Sequence, residues 1–325
     1  MLDTTTADTP LPTSAFAPLP HLVVVRVSGP GTDQFLHGQF SQKLEDITST
    51  YSPRAAASTP KGRAYCLTRM VRQDSDILLA IPAVLADDTL DRLRKYLMLF
   101  RGTSMAIAPQ ARVLGLFGDE AANRLHPDAS VTLRQPCDTC AVGEHRLIRT
   151  EPTAEGLARY EFWQLGPLSE ALQEQLEQCQ ETSELNWQAS QIAAGIAELS
   201  PASVEEYVPQ MLNWQHLNGL HFKKGCYTGQ EVIARMHFLG QLKKSLFRLR
   251  YTGNGAPTET GVTIHSGDRT VGEIVSSIEF SDGHGELLAV VRHDADFSTL
   301  TIAGTDQKLT PLPLPYSVPE QTPDT

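Results

Sequence analysis

The chain has 325 residues, 41% of them hydrophobic, enough for one large domain or two to three small ones with their own cores, and this excludes a disordered chain. Its formal charge of −11 repels a polyanion over most of the surface and argues against direct binding of nucleic acid as the main activity. No run approaches the roughly 18 apolar residues of a membrane span, and five scattered cysteines fit a reducing compartment, by default the cytoplasm, better than a disulfide framework.

Residues 1–20, rich in Thr and Pro and without a basic stretch leading into an apolar run, read as a mobile tail rather than a signal or transit peptide. The β-branched run at 22–27 ends at Ser28-Gly29-Pro30-Gly31 and predicts a strand entering a turn, after which Thr32 caps a helix carrying Phe35, Leu36 and Phe40. Residues 63–71 and 77–81, separated by Arg72-Gln73-Asp74-Ser75-Asp76, predict a hairpin, and Leu85, Leu90, Leu93, Leu97 and Phe100 then fall near a helical stripe. Further strands are predicted at 104–108, 112–117, 145–150 and 160–164, and helices at 167–178 and 184–194. This alternation predicts an α+β fold of mainly antiparallel sheets with helices. From Gln241 onward, short β-type runs at 245–251, 261–264, 270–278, 287–291 and 300–302, broken by turn residues, predict a small barrel or sandwich. A boundary near Gly240 thus separates an α+β region at 21–240 from a C-terminal β-barrel with a Pro-rich tail at 241–325.

Chemistry concentrates in the run from Phe222 to Arg235. Gly225 and Gly229 flank Tyr227 and predict a tight backbone excursion, followed by a helix at 230–238. Cys226 then lies in a glycine-flanked loop just before a helix N-terminus, with Lys223 and Lys224 upstream. Backbone N–H groups, the positive helix end and the ammonium groups all favour a thiolate, so Cys226 reads either as a reactive thiol or as a small residue buried in a tight turn. Glu231, the lone acid in a basic stretch, either complements the helix dipole or orients Lys224, and Arg235 is placed as its i,i+4 partner. Cys137-Asp138-Thr139-Cys140 has the spacing of half a metal or redox site, but with no second pair it reads as a surface loop, and no metal site is predicted.

Residues 224–231, Lys-Gly-Cys-Tyr-Thr-Gly-Gln-Glu, resemble the signature of the YgfZ family and its mitochondrial iron–sulfur assembly relatives. Weaker matches follow in the family's order: the strand-turn-helix at 23–39, Pro60-Lys61-Gly62-Arg63, Arg94-Lys95-Tyr96, Ala194-Gly195-Ile196 with Glu198-Leu199, and Pro313-Leu314-Pro315-Tyr316. The resemblance implies the fold of the glycine-cleavage T-protein, an aminomethyltransferase: three subdomains in a ring, the last a β-barrel, around a central tetrahydrofolate. It also implies a role with iron–sulfur client enzymes and, through them, in tRNA modification. Trp187 is similar to a tryptophan that bacterial members place against the folate; read alone, it is a core residue packing a helix on a sheet. Where the family has its other folate tryptophan, this chain has His21-Leu22. The T-protein's acid–base carboxylate, expected on the first hairpin strand, has no counterpart at 63–71, where Tyr65, Cys66 and Leu67 stand, and Asp74 and Asp76 fall in the turn. The expectation is therefore a folate-binding protein with a reactive Cys226, the alternative being a folate-dependent aminomethyl transferase.

Overall fold

The computed structural model describes residues 6–252 and 258–318. The chain opens with β1 (Ala15–Pro18), β2 (Leu22–Ser28) and α1 (Thr32–Gln39), then β3 (Arg54–Ser58), β4 (Ala64–Gln73), β5 (Asp76–Pro82), α2 (Ala83–Leu97) and β6 (Ser104–Ile107). Next come β7 (Arg112–Phe117), α3 (Gly118–Leu125), α4 (Ala129–Thr132), β8 (Thr139–Val142), β9 (His145–Arg149), β10 (Arg159–Gln164), α5 (Glu170–Glu177), β11 (Gln180–Glu181) and α6 (Glu184–Ala193). After two short helical turns, Pro209–Leu212 and Trp214–Leu217, α7 (Gln230–Phe238) leads into β12 (Lys244–Thr252), β13 (Thr263–Ser266), β14 (Arg269–Glu279), β15 (His284–Arg292), β16 (Leu300–Ile302) and β17 (Thr310–Leu312).

Three sheets result, ordered β3-β4-β5-β2-β6, β11-β1-β7-β10-β9-β8 and β16-β13-β14-β15-β12-β17. Pairing within them is antiparallel except between β1 and β11. Sequence pattern sets the layers: α2 turns Leu90 and Leu93 inward into the core of the first sheet, and Leu85 into the neighbouring core with Ala56 and Leu67. The all-buried centre of β15 pairs along its whole length with β12. This C-terminal sheet curls into a half-barrel, its edges tied by the Leu309 N–H to the Leu300 carbonyl at 2.9 Å.

Two expectations are corrected. The segment from residue 6 to residue 20 is built into the fold rather than mobile: Ala7 is fully buried and its N–H reaches the Glu279 carbonyl at 2.8 Å, while β1 sits between β7 and β11. Its inward residues, Ala15 and Ala17, are too small to give an apolar pattern, although both are fully buried. Residues 1–5 and 319–325, parts of the two predicted tails, lie outside the described residues. Nor is 137–140 a surface loop. Cys137 is fully buried at φ +80°, its Sγ 3.7 Å from Arg69, and Thr139 opens β8.

Candidate functional site

Residues 224–231 wrap over the C-terminal end of α1. Lys224 Nζ donates to the carbonyls of His37 at 2.7 Å and Phe40 at 2.6 Å, two groups that the end of a helix leaves without intrahelical donors. Its ammonium also lies 4.5 Å from the centre of the Tyr227 ring. Burial pushes Lys224 down to about 7. The Thr228 N–H reaches the Gly38 carbonyl at 3.1 Å, and Gln230 Oε1 accepts from the Tyr227 N–H at 3.3 Å.

Gly229 has φ +83°, and a Cβ there would fall 2.5 Å from the Thr59 carbonyl oxygen, so only glycine lets the loop meet the turn at 59–63. Gly225 lies against His37, whose Nε2 would be 3.1 Å from an added Cβ. Tyr227 is buried in a cluster with Leu67, Leu199 and Trp214, whereas Cys226 is exposed. Glu231 is exposed in the first turn of α7 and, among the described residues, pairs with neither Lys224 nor Arg235.

A second feature lies between the first two sheets. It is a narrow cavity of about 50 Å³, smaller than a pterin, so a ligand there would have to part its walls. Its apolar wall includes Leu22 from β2, Leu67 from β4, Ile196 and Leu199. Trp187 and Trp214 both line it and are almost wholly buried, at 1% and 2% exposure. Trp187 is fixed on the second sheet: Phe117 meets it edge-on at 5.6 Å, the Arg159 guanidinium lies 4.3 Å from its ring, and its ring covers Gly115, where a Cβ would fall 2.2 Å from Cε3. Trp214 is different, because its indole Nε1 is buried with no hydrogen-bond partner. A buried N–H left unpaired costs about 1–3 kcal/mol. Sequence reasoning missed Trp214. Its one available signal was an isolated tryptophan ten residues before Lys224.

Charged groups run from the cavity mouth into the second sheet. Arg69 Nε pairs with Glu161 at 2.8 Å and Arg54 Nη2 with Glu151 at 2.9 Å, all four side chains being buried. Burial alone would raise the Glu151 carboxyl, but Arg54 and Arg69 hold it at about 2, and the same arginines hold Glu161 down. Burial pushes Arg159 down to about 9; it donates to Ser190 at 2.9 Å and to Gln191 Oε1 at 2.5 Å. Gln191 Nε2 in turn reaches Glu198 at 3.3 Å.

His21, where the resemblance implies a tryptophan, stands 3.4 Å from Glu198 and 2.5 Å from Glu184. Burial opposes its charge, yet these two carboxylates raise its pKa overall. On β4, Cys66 is buried, its thiol pushed up to about 12, and Asp76 pairs with Arg26 at 2.8 Å. Among the described residues no group of three or more His, Cys, Asp or Glu side chains is placed to hold a metal ion, and no helix is long and apolar enough to cross a membrane.

The fold defines the class. Aminomethyltransferase T of the glycine cleavage system from Bartonella henselae matches with a TM-score of 0.70, covering 94% of this chain and 87% of that one at 16% identity. The chain therefore has the T-protein type of fold. No protein-family model matches it. In sequence it is 28% identical to the tRNA-modifying protein YgfZ of Colwellia psychrerythraea over 97% of this chain and 99% of that protein. It is also 28% identical to the Klebsiella pneumoniae protein of that name over 90% of each, and 27% identical to the Yersinia enterocolitica one over 96% of each. Along nearly its whole length the chain resembles the YgfZ family, as its signature segment implies.

Proposed function

We propose that this chain is a cytoplasmic tetrahydrofolate-binding protein that sustains iron–sulfur enzymes and, through them, tRNA modification, with the Cys226 thiol as its reacting group. One observation carries the folate reading: two tryptophans, Trp187 and Trp214, share one cavity wall, the second with an indole N–H that has no hydrogen-bond partner. A pterin is flat and rich in hydrogen-bonding atoms, and Trp187 and Trp214 would hold it, with Gln191 and Glu198 as further polar groups; Arg54 and Arg69 on the wall are already paired with Glu151 and Glu161. When bound, tetrahydrofolate supplies a one-carbon carrier.

The residues present favour binding over aminomethyl transfer. β4 carries no carboxylate, and Glu161, which does line the cavity, is tied to Arg69 and held ionised. A general base must be free to take up a proton. Cys226, by contrast, is exposed and stands on a loop fixed from both sides by α1 and the turn at 59–63. An iron–sulfur cluster or its sulfur chemistry on a client enzyme is then the substrate.

The test is Cys226→Ser in cells lacking the native copy. Methylthiolated tRNA should fall to the level of the deletion while the purified variant keeps its fold and its folate affinity. Wild-type levels of the modification would refute the thiol's role.

A further inference from the structure

The helix that follows the signature loop ends in an uncovered face. Phe238 is 64% and Leu239 85% exposed, the latter the most exposed large apolar side chain among the described residues. Phe238 is nonetheless held in place. The rings of Phe222 and His237 stack at 3.6 Å and 8°, and Phe238 meets them edge-on at 6.2 and 4.7 Å. Lys223, next to Phe222, Arg235, in the last turn of α7, and Lys243, four residues after Leu239, are exposed and form no ion pair among the described residues, and Glu231 is the one acid between residues 221 and 250 in the sequence. Glu45 and Asp46 face the start of this segment, at Lys224 and His221, but the three cations without an ion pair still run against a chain whose formal charge is −11. The other exposed apolar pair, Met98 and Leu99, follows α2, where Asp87, Asp88 and Asp91 balance Arg92, Arg94 and Lys95.

We propose that the face running from Cys226 to Leu239 and Lys243 is a docking surface for a partner protein with an acidic, partly apolar patch, seating that partner against the exposed thiol. Apolar centres of interfaces supply affinity, and charged rims supply encounter rate and choice of partner. A protein fits better than a nucleic acid, because the rest of the chain repels a long polyanion, Phe222 and His237 already stack on each other, and Leu239 offers no ring.

The probes are two helical peptides of equal length, each with one cysteine as a 2-thiopyridyl disulfide, one presenting a Glu/Leu face and the other a Lys/Leu face. The Cys226 thiolate attacks the peptide sulfur, a protein–peptide disulfide forms, and thiopyridone leaves with the electron pair of the broken S–S bond and is read by absorbance. Cys226→Ser supplies the background from the other cysteines. At low salt the acidic peptide should react about tenfold faster than the basic one. The ratio should approach unity near 0.5 M salt, where the Debye length is about 4 Å.

Combined Lys223→Glu, Arg235→Glu and Lys243→Glu should reverse the preference, and Phe238→Ser with Leu239→Ser should slow the acidic peptide without changing the rate with a small uncharged disulfide. Equal rates for the two peptides, or a preference that survives charge reversal, would overturn the proposal. Protection of Cys226 by transfer RNA with no preference for the acidic peptide would overturn it in favour of a nucleic-acid surface. Folate plays no part in this measurement, so its outcome is separate from that of the cavity.

Discussion

Replacing Lys224 with methionine keeps most of the buried stem and removes the amine that joins the signature loop to α1. Two carbonyls lose their donor, those of His37 and Phe40. Phe40 is fully buried, so its carbonyl pays the full cost of an unsatisfied group, about 1–3 kcal/mol, whereas water can reach the partly exposed His37. Loss of the contact with the Tyr227 ring adds about 0.5–1 kcal/mol. The sum is about 3 kcal/mol, a fall in Tm of roughly 4–5 °C for a chain of 325 residues. Thermal unfolding followed by circular dichroism measures it, and hydrogen exchange should show faster exchange at the Thr228 amide, which is bonded to Gly38.

The pH dependence carries a sign. Burial places Lys224 at about 7, below the unfolded value near 10.4, so between those values the unfolded chain holds more protons and stability from this group rises with pH. The gap between wild type and Lys224→Met should therefore widen from pH 6 to pH 9, the neutral amine still having an N–H for each carbonyl. A Tm within about 1 °C of wild type would refute the assigned role of Lys224, and a gap that narrows with pH would refute the effect of burial.

Two further outcomes follow from packing and charge. Gly229→Ala must place a side chain at φ +83° and within 2.5 Å of the Thr59 carbonyl, and should cost about 2–4 kcal/mol by denaturant unfolding, with the turn at 59–63 losing protection. Glu151 is held at about 2 by Arg54 and Arg69, so its stabilisation is present above the unfolded value near 4.3 and is lost as pH falls towards 2; Glu151→Gln should be less stable at pH 7 and should flatten the acid limb of a stability–pH curve.

What could be read from the sequence depended on whether the cause was local. The helix at 230–238 and the hairpin at 63–81 follow from glycine punctuation and apolar period, and they appear as Gln230–Phe238 and as Ala64–Gln73 with Asp76–Pro82. Cys226 and the tight geometry of its loop were legible because both glycines lie within three residues of it. The partner of Lys224 was not, since His37 lies 187 residues away and its carbonyl belongs to the backbone, which leaves no trace in residue type. Neither was β1, whose small alanines hide a central position, nor the burial of Cys137, which Arg69 draws in from another sheet. Trp187 was singled out for a folate contact and does line the cavity. The unpaired donor beside it belongs to Trp214, and only three-dimensional accounting of buried N–H groups exposes that.

Folate binding is measured by calorimetric titration of the purified protein with tetrahydrofolate, comparing wild type with Trp214→Phe, Trp187→Ala and Cys226→Ser. Wild type and the cysteine variant should bind, removal of the indole donor alone should weaken binding about tenfold, in line with one lost hydrogen bond, and Trp187→Ala should weaken it further. No binding by folded wild type, or binding indifferent to both tryptophans, would contradict the folate reading.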